Sequence, residues 1–196
     1  MGRPRLHDET TERDLLAAAE ALLAEGGADA LSVRRVAEAA GTSARAIYSL
    51  FGGKDGLLGA LFREAFAALA GDLDALPLTE YPVADLVAAG AVGFRDWARA
   101  RPTLFRLAFA EETPVSPMAA QASVEAFGRL RLRIRRCVDA GLMPEGIELE
   151  VGLSFHALCE GLASFEARGR FPLLADRDPA AMWRSALDAL VRGYCA

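Results

Sequence analysis

Residues 41–58 read GTSARAIYSLFGGKDGLL, and this stretch holds the only lysine of the chain, Lys54. The Lys+Arg total of 22 is therefore 22 − 1 = 21 arginines and one lysine. Thr42, Ser43, Ala44 and Arg45 open a short helical pattern with small or polar groups and one guanidinium. Those residue types suit the leading end of a recognition helix, where an arginine fork meets the acceptor edge of guanine in the major groove. Tyr48 and Ser49 add hydroxyls able to reach phosphate or base. Ile47 and Phe51 fall on the inner face, with Val36 and Leu15 as packing partners. Lys54 stands where the next helix begins, and the free N–H groups of a helix start already favour an anion. Between Ser32 and Lys54 lie four cations, Arg34, Arg35, Arg45 and Lys54, and one acid, Glu38. The competing reading is a solvated cationic face on an ordinary helical hairpin.

The surrounding elements must hold that stretch in place. Thr10 or Thr11 can cap a first helix with Leu15, Leu16, Ala19, Leu22 and Leu23 on one face, ended by Gly26-Gly27. Ser32 caps a second, which Gly41 stops after about two turns, and Thr42 or Ser43 caps a third ending near Leu50. Two short helices around a glycine turn have the sequence form of a helix-turn-helix. A longer helix starts near Lys54, with Leu57, Leu58, Leu61, Phe62, Ala65, Phe66, Leu69 and Leu73 as its buried stripe. Pro82 opens a fifth. Further helices follow Pro102, run from Ser116-Pro117 to Ala140, from about Gly146 to Arg168, and from Asp178-Pro179 to about Val191. The expected fold is all-α, with about nine helices. A three-helix DNA-binding head spans 1–53 and a larger helical body spans 54–196.

Composition narrows the classes. Apolar residues make up 53% and the net charge is −5, which suits a small basic reading head on an acidic body. Cys137, Cys159 and Cys195 form neither a disulfide framework nor a zinc pattern, which points to free thiols in a reducing compartment. The N-terminus lacks an apolar signal core, and no run is long enough to span a membrane, so a cytoplasmic location is expected. No Ser/His/Asp order, phosphate-binding glycine loop or paired metal motif is visible, and there are two histidines. An enzyme, a cofactor and a metal are therefore not expected.

TSARAIYSLFGGKDGLL closely resembles the TetR family of bacterial transcriptional repressors, whose recognition helix and following turn show the pattern LYxHFxSKExLL. The matching residues are Gly41, Ile47-Tyr48, Phe51, Lys54-Asp55 and Leu57-Leu58. The opening GRPR looks like the N-terminal arm of that family. The resemblance implies phosphate contacts from Tyr48 and Lys54 and base reading near Ser43, Arg45 and Ser49. Thr42 shares that end of the helix. Ser32 and Arg34, at the start of the helix that crosses the backbone in this motif, and Arg3 of the arm complete the expected DNA contacts. Two residues depart from the pattern: Leu50 stands where His or Tyr is frequent, and Gly53 replaces a serine.

The resemblance further implies a homodimer on a palindromic operator, with a body that holds a small apolar or aromatic effector whose binding releases the DNA. A ligand-independent or activating DNA-binding regulator is the alternative, and a helical interaction protein is a further one. LSFHALCEGLASFEARG, 153–169, resembles the eighth helix of a subgroup with a Trp…His-Gly signature, with Gly161 in register, Glu160 at the usual His and His156 at the usual Trp. FRDWARARPTLFRLAF, 94–109, is similar to the fifth and sixth helices of that subgroup. His156 and Glu160 share a helix face. They can be a surface pair, part of a metal shell, or a pair that orients a ligand. Phe62, Phe66, Trp97, Phe105 and Phe127 are the other pocket candidates. Apolar residues of the last two helices, Leu187 and Leu190 among them, suit a dimer interface as well as a core.

Overall fold

The computed structural model describes residues 5–109, 117–171 and 178–195. The elements are α1 (Arg5–Ala30), α2 (Val33–Ala39), α3 (Ala44–Phe51), α4 (Lys54–Asp74), α5 (Pro82–Ala88), a π-helical segment (Ala89–Phe94), α6 (Arg95–Ala100), α7 (Pro102–Phe109), α8 (Pro117–Asp139), α9 (Glu148–Ala167) and α10 (Pro179–Gly193). With α5, the π segment and α6 counted as one rod, the described residues form nine helices and no strand. Among them no helix is long and apolar enough to cross a membrane.

The chain divides into two compact units: Met1–Ala65 with Thr103–Ala122, and Phe66–Pro102 with Ser123–Ala196. In the first, α1, α2 and α3 pack on one another. Leu15, Ala19, Leu22, Leu23, Val36 and Ile47 are buried there, as the apolar spacing requires. The helical geometry of α1 breaks at Gly26 and Gly27, the glycine pair expected to end it. Its start lies at Arg5, earlier than the threonine cap.

In the second unit α10 packs on α5, the π segment and α9, and α6 on α9. Two buried polar clusters bind these helices. Arg133 of α8 is buried, and its guanidinium donates to the carbonyls of Leu73 (2.8 Å), Leu76 (3.1 Å), Asp85 (3.4 Å) and Pro77 (3.5 Å). Beside it Asp85 accepts from Arg136 at 2.5 Å and from the N–H and hydroxyl of Thr79 at 2.7 and 2.8 Å. In the other cluster Glu166 accepts both nitrogens of Arg95, at 2.9 and 2.8 Å, and the indole N–H of Trp183 at 2.8 Å.

The apolar residues of α9 and α10 separate by face. Val151, Phe155, Trp183, Leu187 and Val191 are core, whereas Leu149, Leu153 and Phe165 are 61%, 56% and 38% exposed. Of the two places open to Leu187, interface or core, it takes the core. It is fully buried against the backbone of the π segment, where a Cβ on Gly90 would come within 2.7 Å of its Cδ1. Apolar spacing could not separate the two faces because both are apolar. Leu190 remains half-exposed.

Candidate nucleic-acid interface and ligand site

Local chemistry fixes α2 and α3. The Ser32 hydroxyl accepts from the Arg35 N–H at 3.2 Å and caps α2. Gly41 makes the turn, and Ser43, extended at φ −106 and ψ 151, is the residue before α3. Ile47 is fully buried, which turns the rest of α3 outward. Ser43, Ala44, Arg45, Tyr48 and Ser49 are exposed, and Thr42 is half-buried. Tyr48 is 60% exposed. No hydrogen bond or ion pair ties Arg45 to another described residue.

The two cations of α2 are engaged differently. Arg34 meets Glu38 at 2.9 Å across one turn, and Glu38 holds its pKa up through that hydrogen bond. Arg35 donates to the Ala30 carbonyl at 2.8 Å and lies 3.7 Å from Glu25. Arg3 lies outside the described residues.

Between α3 and α4 the chain turns through Gly52 at φ 75 and Gly53 at φ 129, both in the left-handed range that side chains resist. Gly53, where the family pattern has serine, offers no capping hydroxyl and takes a turn geometry that glycine adopts easily. The ring of Tyr48 lies along it, 3.5 Å from where a Cβ would be. Lys54 follows as the first residue of α4. Gly56 is a positioning residue that sequence reading missed. A Cβ there would fall 1.6 Å from the Phe51 carbonyl oxygen, so the end of α3 closes on the first turn of α4 only because that side chain is absent. A glycine in the opening turn of a long helix, where alanine is better by about 1 kcal/mol, was the available signal.

The ligand candidates of the second unit form an aromatic cluster. The imidazole of His156 lies 5.9 Å from the ring of Phe94 at 89°, and 6.5 Å from that of Phe127 at 82°. Phe94 also meets Trp97 at 5.7 Å. Phe94, absent from the expected set, is thus the centre of the cluster, and its spacing of three from Trp97 on one helix face was the clue. Phe66 and Trp97 are buried in this unit. Phe62 and Phe105 belong to the first unit and are buried there. Burial pushes the His156 pKa down and that of Glu160 up. Burial raises the thiol of Cys137 to about 11, and that of Cys159 further still. Both are protonated and unreactive at neutral pH. Among the described residues no group of three His, Cys, Asp or Glu side chains could hold a metal ion.

The expected side-chain cap of α3 is not made, for the Ser43 hydroxyl accepts no helix N–H. Two short helices about a glycine turn, an outward row of polar groups and a cation at the next helix start have the form of a helix-turn-helix DNA-binding protein. Residues 15–61 match the bacterial regulatory proteins of the tetR family, and residues 87–190 match the tetracyclin repressor-like C-terminal domain. The chain belongs to the TetR family of transcriptional regulators. Solved structures with a similar fold include a Rhodococcus sp. RHA1 protein of unknown function, 24% identical with a TM-score of 0.80, covering 95% of this chain and 96% of that one. A transcriptional regulator from the same organism is 26% identical at a TM-score of 0.69, covering 93% and 95%. The fatty acid degradation regulator FadR of Bacillus halodurans is 14% identical at 0.76, covering 97% and 96%. No curated protein matches the sequence.

Proposed function

We propose that this regulator reads a palindromic operator as a homodimer and acts as a repressor that a small apolar or aromatic effector releases. The observation that carries the DNA reading is the outward row Ser43, Arg45, Tyr48 and Ser49 on a helix held by buried Ile47. In this reading Arg45, Ser43, Ser49 and Thr42 meet base edges. Tyr48, Lys54, Ser32 and Arg34 meet the backbone, and Arg3 extends the contacts from the arm. The head is assigned to 1–53 and the effector and dimer functions to 54–196, with a non-enzymatic role in the cytoplasm. Selection of bound sequences from a random DNA pool tests this. A palindromic consensus whose affinity falls steeply with salt is expected, and recovery of unrelated sequences would overturn it.

The dimer reading rests on the exposed pair Leu149 and Leu153 of α9. Four residues apart, they share one helix face. Two-fold symmetry would then place two copies of α3 on two half-sites. Leu153→Glu should give folded monomers in sedimentation, because a buried unpaired charge is costly. A wild-type chain that sediments as a monomer at micromolar concentration would count against the dimer.

The effector reading rests on the His156 cluster, with Phe66, Trp97, Phe127 and Glu160 as lining candidates. Release requires that ligand and operator favour different states. The coupling is reciprocal, typically about 1–3 kcal/mol.

A further inference from the structure

The four carboxylates of α9 differ in how they are matched. Glu148 meets Arg135 at 3.1 Å. Glu166 takes a bidentate Arg95 and the Trp183 N–H, with Arg99 3.7 Å away. Glu150 is exposed to water. Glu160 is only half-exposed, and no hydrogen bond or ion pair joins it to another described residue. Burial raises its pKa, and no neighbouring cation acts to lower it. One turn away on the same face stands His156, with the rings of Phe94 and Phe127 beside it. Burial holds the imidazole below its usual pKa of 6.5, so it is neutral at pH 7 and does not repel a positive charge.

We propose that the effector of this site is an organic cation, an amine protonated at neutral pH on an aromatic or alkyl body. This rests on the reading that the His156 cluster is the effector site. The apolar body lies against Phe94, Phe127 and the neutral imidazole. The ammonium supplies Glu160 with the counter-charge that the arginines supply to Glu148 and Glu166. Partly desolvated carboxylates gain most from such a charge-assisted hydrogen bond, and aromatic rings also attract cations. A carboxylate-bearing ligand would instead bring two like charges together.

The test uses the full chain and two sets of matched probes: 2-naphthylmethylamine, 2-naphthylmethanol and 2-naphthoate, and dodecylamine, dodecanol and dodecanoate. Calorimetric titration should rank amine above alcohol by about tenfold in at least one set, with the acid weakest. Glu160→Gln should erase the preference for amine over alcohol, and Glu160→Lys should place the acid first. Phe127→Ala should weaken amine and alcohol alike. If amine and alcohol bind equally to the wild type and respond to Phe127→Ala, the site stands and the cation inference fails. If no probe binds, or if binding ignores Phe127→Ala, the effector reading of the cluster falls and the cation inference with it.

Discussion

Arginine is used in two ways. In the first unit Arg45 is exposed on α3, and no other described residue holds it. In the second, Arg133 is buried with its guanidinium spent on four backbone carbonyls, and Arg95 is locked to Glu166. The same side chain is left open to the surroundings in one place and is a bolt inside the chain in the other. The difference lies in what surrounds the charge. Arg45 stays hydrated beside small residues, so its five donors are available to phosphate or base. Arg133 has left water and must satisfy those donors internally or pay the cost of burial. A net charge of −5 hides this division, because it counts alike an arginine paired with an acid, such as Arg95 or Arg101, and one left open, such as Arg45.

The sharpest way to break the comparison is to remove the bolt. Arg133→Met should cost roughly 3 kcal/mol, since several carbonyls lose their donor, and lower the melting midpoint by roughly 6–12 °C. A midpoint unchanged in thermal denaturation would show that water replaces the guanidinium freely. Gly56→Ala tests the other unit at its tightest point. Its Cβ must displace the Phe51 carbonyl, and the cost should be about 1–3 kcal/mol with loss of operator binding. Unaltered DNA affinity in a mobility-shift titration would mean that α3 is not set by this contact.

Removing the reader should leave the fold alone. Arg45→Ala is expected to lose about 1–3 kcal/mol of operator affinity at particular base pairs, with the melting midpoint unmoved. Lys54→Ala should weaken all sequences alike and lower the salt slope by about one. Footprints that ignore both changes would place the reading helix elsewhere. The smallest effect is acid sensitivity of the body. Burial pushes the pKa of Asp85 up, but the hydrogen bonds from Arg136 and Thr79 outweigh it and hold the carboxyl below its ordinary 3.8. Glu166 is likewise pushed up by burial, yet Arg95 and Trp183 hold it below 4.5. Both carboxylates therefore contribute stability above their unfolded pKa values, and it is lost as pH falls through the lower folded ones. Urea midpoints measured from pH 7 down to pH 3 should fall less steeply for Asp85→Asn than for the wild type. Parallel curves would remove Asp85 from the account.

Much of this was legible in the sequence because glycine, proline and serine mark helix ends through backbone geometry alone. Pro82, Pro102, Pro117 and Pro179 each open a helix where expected, and every position of the expected α4 stripe is buried. Three things were not legible. The π segment Ala89–Phe94 reads AGAVGF, too short and too uniform for one extra residue per turn to disturb the apolar period. Its glycines matter through contacts with distant side chains: a Cβ on Gly93 would meet Leu73 at 2.9 Å and Leu76 at 3.1 Å. Arg133 and Asp85 were missed because a reading by hydrophobic period assigns only apolar residues to the core. Within the site, the exposed row of α3 followed from the buried position of Ile47, whereas the pairing of Arg34 with Glu38 needed coordinates to separate it from a free cation.

The capping of α4 by Arg133 also sets an order in time. The carbonyl of Leu73 is closed by a side chain 60 residues further along the chain. Contacts that distant form after local ones, because the intervening loop must first be closed. The Leu73 carbonyl also accepts from the nearby Leu76 N–H at 3.3 Å. At a synthesis rate of about 5–20 residues per second, Arg133 is made on the order of several seconds after the end of α4. The contacts among α1, α2 and α3, by contrast, lie within the first 51 residues. During each round of synthesis α1, α2 and α3 are all made well before Arg133 can join the last turn of α4.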